Sequence, residues 1–203
     1  DSVVRRKAAD ALLNHGDEEA IGSMHSHTND TLRSLAMRHH SCSKKQLIGG
    51  LKDTSSVVQV EALRNLLNRD EPVDIALIEP FYNLQSEVVN LFLYIAKHSP
   101  EGLPSLTKKL GPRHFHDITK HLRANVHSSS DMLIQTLLES NMYSIVTRWL
   151  IHIGADEDEL RWSMIRNDEV DIIERSKLLE RLIGRADENE VQVEVTNFMA
   201  SKP

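Results

Sequence analysis

The sequence is poor in aromatic side chains, carries one cysteine, and has neither a long apolar run nor the signature of a catalytic or phosphate-binding loop. Aromatics make up 4% of the chain, which speaks against an aromatic-lined cofactor pocket or a base-stacking platform and suits helices packed through small residues. A single cysteine, Cys42, excludes an internal disulfide framework and fits a reducing compartment; the thiol is expected to be buried or incidental. No apolar run approaches the ~20 residues of a membrane-spanning helix. The longest, residues 88–96, contains Asn90. A Gly-rich phosphate loop, a Gly-x-Ser-x-Gly elbow, a His-Glu-x-x-His pair and a Cys-x-x-Cys pair are all missing, so a non-enzyme without a cofactor is expected. The chain opens on Asp rather than Met, as a processed product or an excised segment would, and the expected location is cytoplasmic.

What the sequence does have is a core and a repeat. Its 203 residues are 40% apolar, enough for one large or two ordinary domains. Val4, Leu32, Val58 and Val89 recur at steps of 28, 26 and 31 residues, and four positions after each stand Ala8, Ala36, Ala62 and Leu93. Val4, Ala8, Ala11 and Leu12 fall at i, i+4, i+7 and i+8, one stripe of a helix. Gly16 stops it, and Asp17, Glu18 and Glu19 suit the positive end of a second helix carrying Ile21 and Met24. That apolar pair returns as Ile48 and Leu51, Ile78 and Phe81, and Leu103 and Leu106. The unit is therefore a helical hairpin, which hides its apolar faces by stacking on copies of itself. The expected fold is all-α: a right-handed α-solenoid of about seven antiparallel hairpins forming one domain over 1–203, with clear repeats over 1–111 and degenerate ones over 112–203. In the second part Phe115, Ile118 and Leu122 make one face, Met132, Leu133, Thr136 and Leu137 another, and Ile145, Trp149 and Ile153 a third. Val170, Ile173, Leu178, Leu179 and Leu182 line a longer helix ending near Gly184. Residues 190–200 alternate like a strand at Val191, Val193 and Val195 yet also fit i, i+4, i+7 at Val191, Val195 and Phe198; in this company they read as helix.

The first repeat resembles the HEAT-like repeats of the phycobilin-lyase type, through Asp1, Val4-Arg5, Ala8-Ala9, Ala11-Leu12 and the run Gly16 to Ile21. Later copies depart from it, with His40 and Lys97 at positions held by Leu12 and Leu66. The resemblance implies stacked helix pairs and protein-protein contact more often than catalysis. Deoxyhypusine hydroxylases share the architecture but bind iron through His-Glu pairs, and no His-Glu dipeptide occurs here. Bilin lyases and a HEAT-like alkylpurine DNA glycosylase are further relatives by fold; no residue set marks a lyase, and an acidic chain neutralises phosphates poorly.

The net charge of −6 is unevenly spread. Residues 102–137 hold five basic residues, Lys108, Lys109, Arg113, Lys120 and Arg123, against two acids, or +3, whereas residues 154–190 hold twelve acids against six basic residues, or −6. The positive stretch is the expected attractor of an acidic protein partner. With the second helices lining the concave side, Glu18, Lys44, Lys45, Glu79, Lys108 and Lys109 are candidate surface residues, and Arg113, Lys120 and Arg123 continue the strip. The expected function is a non-catalytic scaffold or adaptor. The alternative is a metal-dependent or nucleic-acid-acting HEAT-like enzyme: on a helix His114, Asp117 and His121 lie at i, i+3 and i+7, a set able to hold zinc or iron if a fourth ligand joined it. Eleven histidines add a third reading, a pH-responsive element, because protonating all of them takes the formal charge from −6 to +5.

Overall fold

The computed structural model describes residues 7–8, 11–12, 14–15 and 18–200. Among these the regular structure is helical, with no strand. The helices are α1 (Glu18–Met24), α2 (Asp30–Arg38), α3 (Lys44–Leu51), α4 (Ser56–Arg69), α5 (Val88–His98), α6 (Leu103–Thr107), α7 (Pro112–Asn125), α8 (Met132–Glu139), α9 (Tyr143–Leu150), α10 (Asp158–Ile165), α11 (Ile172–Leu182) and α12 (Glu188–Ala200). No helix is long and apolar enough to cross a membrane. The chain divides into two compact units, Asp1–Tyr94 and Ile95–Pro203.

In the first unit α4 packs against α2 and α3, and α1 against α2. The core is built from Leu35, Ala36, Leu47, Leu51, Val58, Ala62, Leu63 and Leu66. The three helices approach closely at Gly50, where a Cβ would lie 2.6 Å from Met37 Sδ and 2.8 Å from Ala62 Cβ; any larger residue would force α3 outward. Sequence chemistry sets the helix starts. Asn29 Oδ1 accepts from the Thr31 N–H at 2.8 Å and opens α2, and Ser43 and Gln46 form a reciprocal capping box at α3. The end of α2 is closed from α4, where Asn65 donates to the Met37 carbonyl and Arg69 to those of His39, His40 and Cys42.

The third pair departs from the expected helical hairpin. Ile78 and Phe81 are buried as expected, but Phe81 ends a 3₁₀ turn, Glu79–Phe81, and Ile78 links it to a preceding one, Ile75–Leu77. Pro80 lacks an N–H and its ring would strike the Ala76 carbonyl in an α-helix, so the segment tightens into short turns. Of the first repeat, Asp1, Val4, Arg5, Ala9, Gly16 and Asp17 lie outside the described residues. Ala8 and Ala11, expected on its inward stripe, are exposed, and Leu12 is half-buried.

In the second unit α9 is central, packed by α7, α8, α10 and α11, and it buries Ile145, Val146, Thr147, Trp149 and Leu150. Its end is held by Arg161, fully buried, which donates to the Leu150 carbonyl at 2.9 Å and the Ile153 carbonyl at 2.6 Å and pairs with Asp158. Two expected core positions are instead outward: Met132 is 78% and Ile173 62% exposed. Each occupies the first turn of its helix, behind the caps Asp131 and Asp171, before the inward stripe begins at Ile134 and Leu178. Gly184, at φ +81°, ends the chain's course after α11 in the left-handed region. Residues 190–200 are helical: Asp187 Oδ1 caps α12 by accepting from Asn189 N–H at 2.9 Å, and Val191, Val195 and Phe198 turn inward while Val193 stays exposed.

Candidate functional site

Helix α7 begins with Gly111 and Pro112, whose fixed φ suits a first helical position. The Gly111 N–H donates to His114 Nδ1 at 3.0 Å, so this imidazole serves the helix start. Ile118 and Leu122 anchor the inner side, and half-buried Phe115 carries the Arg148 guanidinium 5.3 Å from its ring centre. Arg148 is in turn paired with Glu174 at 3.3 Å.

Fixing the inner side leaves Arg113, His116 and Lys120 outward. They stand at i, i+3 and i+7, within an arc of about 60° and spread over about 10 Å of helix. All three are exposed, and none has a partner among the described residues. Arg113 occupies the first turn, where the helix dipole opposes a cation, and no acid shares that turn. Local stability therefore does not explain it.

Lys108 and Lys109 follow α6 directly and are exposed. Arg123 continues the arc of α7 but is half-buried, with its Nε out of solvent and unpartnered. Lys44 and Lys45 belong to the first unit, in the first turn of α3; Lys44 Nζ donates to the Pro72 carbonyl, and Lys45 is exposed. Glu18 and Glu79 are exposed as well. The structure thus joins Arg113 and Lys120 in one stripe, adds His116 to it, and places the pair on α3 in a separate unit. Reading exposure at 113, 116 and 120 together with the spacing would have found His116, which was passed over because only its neighbours were weighed as metal ligands.

The alternative set fares differently. His114, Asp117 and His121 are each half-buried, flanking the inner side of α7. Among the described residues no group of three or more His, Cys, Asp or Glu side chains is arranged to hold a metal ion, and the Nδ1 lone pair of His114 is committed to the helix cap. Cys42 is buried, and desolvation pushes its thiol up to about 11 although Arg69 works against this, which leaves it far from a reactive thiolate. No protein-family model, no curated protein and no solved structure matches this chain.

Proposed function

We propose that this chain is a non-catalytic helical-repeat scaffold or adaptor that captures an acidic segment of a partner protein on the outward stripe of α7. The observation that carries the reading is the arc Arg113, His116 and Lys120, cationic or protonatable, exposed and unpaired, with Arg113 held against its own helix dipole. Lys108 and Lys109 supply further positive charge beside its start. Across unlike charges such a surface gains encounter rate and specificity from the field it projects.

The HEAT-like repeat, and with it a right-handed solenoid of about seven hairpins, belongs to the same proposal. It is supported by the recurrence at steps of 28, 26 and 31 residues and by a matching recurrence of ion pairs. Arg38 pairs with Glu61 and Arg64 with Glu87, each across 23 residues.

The test is fluorescence anisotropy of a labelled Glu- and Asp-rich peptide at low salt, where exposed charges act at longest range. Native protein is expected to bind it, and Arg113→Glu with Lys120→Glu to weaken binding by about tenfold or more, each lost contact being a charge-assisted one. The native melting temperature should persist, because both side chains are exposed. Unchanged binding by the doubly reversed protein removes α7 from the account.

A further inference from the structure

Arg123 and Arg181, like the outward Arg113 of α7, differ from the remaining arginines of the second unit. Arg148, Arg161, Arg166, Arg175 and Arg185 each donate to a carboxylate or a carbonyl. Arg123 and Arg181 donate to no described group, and Arg123 Nε is buried without a partner. Both act on the same imidazole. Burial first, then Arg123 and Arg181, hold His152 below the usual histidine range, so it is a neutral N–H donor near pH 7.

His152 and Arg181 meet at a cavity. Beyond the ends of α9 and α11 a depression of about 440 Å³ is lined by His152, Ile153, Glu180, Arg181, Ile183 and Arg185. A second depression shares Ile151, Glu180 and Arg181 with it and adds Lys177. Lys177 and Arg181 stand at i and i+4 on α11, which brings their heads to the same side, and Arg185 follows the helix end beyond Gly184. Arg185 contacts Asp158 at 3.2 Å, a carboxylate it shares with the buried Arg161. Among the described lining residues Glu180 is the one acid. Lys177, Arg181 and Arg185 against Glu180 leave a surplus of two positive charges along the lining, beside the His152 imidazole. Like charges gathered without a counter-ion oppose folding, and an anion entering the cavity relieves that opposition.

We infer that this cavity is a binding site for a phosphate monoester. The ester is a near-dianion with three strong acceptor oxygens, and it matches a surplus of two charges better than a single carboxylate does. Arg181 supplies a planar fork suited to two of its oxygens, Lys177 a point charge at the rim, and His152 a further N–H. Ile151, Ile153 and Ile183 give the wall on which the carbon skeleton of the ester rests. A phosphorylated side chain of another protein and a small phosphate ester present the same group. The site shares neither Arg113 nor Lys120 with the stripe on α7 and stands independently of it.

The test is NMR titration of the full chain with four probes: a short phosphoserine peptide, the same peptide with serine, the same with glutamate, and glycerol phosphate. Expected are shifts at His152, Lys177 and Arg181 with the phosphate probes, and affinity for at least one of these about tenfold above the glutamate peptide, as the larger charge implies. Arg181→Glu should abolish the response, while Arg113→Glu leaves it unchanged. Tighter binding of the phosphopeptide identifies a protein source, and tighter binding of glycerol phosphate a small-molecule source. Silence toward both phosphate probes, equal affinity for the glutamate peptide, or full binding by a folded Arg181→Glu protein overturns the assignment.

Discussion

Arg64 Nε lies 2.7 Å from Glu87 Oε1, and the same guanidinium reaches back to Glu61, which also receives Arg38. Glu61 and Glu87 are buried while the arginines are partly exposed, so carboxylates inside meet guanidinium groups that span the rim. The chain Arg38, Glu61, Arg64, Glu87 thereby ties α2 to α4 and α4 to the 3₁₀ turn Gln85–Glu87 that precedes α5. Hydrogen bonding to Glu87 is the largest cause that raises Arg64 above the usual arginine range.

Removing the shared carboxylate should cost more than removing either arginine. Glu61→Gln leaves Arg38 without its anion and Arg64 with Glu87 alone, and a loss of about 1–2 kcal/mol is expected after allowing for the solvent that screens both arginines. Urea unfolding of Glu61→Gln, Arg38→Met and the double variant measures it. Strict additivity of the two single changes would show that the pair does not act as a unit.

Arg33 and Asp53 form a two-pronged pair, with both contacts at 2.8 Å, and Asp53 also accepts the Ser55 N–H. The Arg33 hydrogen bond leads the causes that hold the Asp53 carboxyl below its usual range, against an opposing effect of burial. A depressed folded value means that the pair stabilises fully above the unfolded value of about 3.9 and that its contribution is lost as pH falls through the lower folded value. Arg33→Gln should raise the Asp53 titration midpoint in carboxyl-detected NMR and lift the acid end of the unfolding curve. An unmoved Asp53 midpoint would assign the depression to the backbone instead.

Helix periodicity was legible where one side of a helix is wholly buried. Val191, Val195 and Phe198 outweighed the alternating valines because Asp187 and the acids Glu188 and Glu190 favour a helix start. Two features were hidden for physical reasons. Ile78 and Phe81 keep helical spacing across 3₁₀ turns, so spacing alone did not reveal the effect of Pro80. Counting charge over residues 154–190 averages opposite faces, and the acidic total of that stretch masked Lys177 and Arg181 on one arc. The stripe on α7 was half visible: Arg113 and Lys120 follow from a run of basic residues, whereas His116 emerges only once Ile118 and Leu122 fix which side is inward.

Arg161 offers a sharper stability test. It is wholly buried, and its donors satisfy the Leu150 and Ile153 carbonyls where α9 ends. Arg161→Ala leaves those carbonyls without their donor and Asp158 with Arg185 alone, and a loss of roughly 3–5 kcal/mol is expected. Arg161→Lys restores the charge but not the fork, and should recover part of the loss at most. Denaturant midpoints of the two variants decide this; a lysine variant as stable as the native chain would mean that charge alone is required.

His39 makes the fold sensitive to mild acid. It is 2% exposed, and its Nδ1 lies 2.7 Å from Ser41 Oγ and accepts the Ser41 N–H at 3.3 Å, which places the neutral ring proton on Nε2. Burial is the main cause that lowers it, the neighbouring His40 adds to this, and Glu18 opposes. The unfolded chain therefore takes up a proton below about pH 6.5 that the folded chain refuses, so stability falls as pH drops from there toward the folded value and falls no further below it. His25 and His152 are lowered in the same direction by burial first, so they contribute to the same slope. His39→Asn preserves an acceptor for Ser41 without a titrating ring. Comparing urea midpoints at about pH 5.5 and about pH 7.5, the variant should lose less stability than the native chain between the two. An identical difference in both proteins would place the sensitivity on His25 and His152 alone.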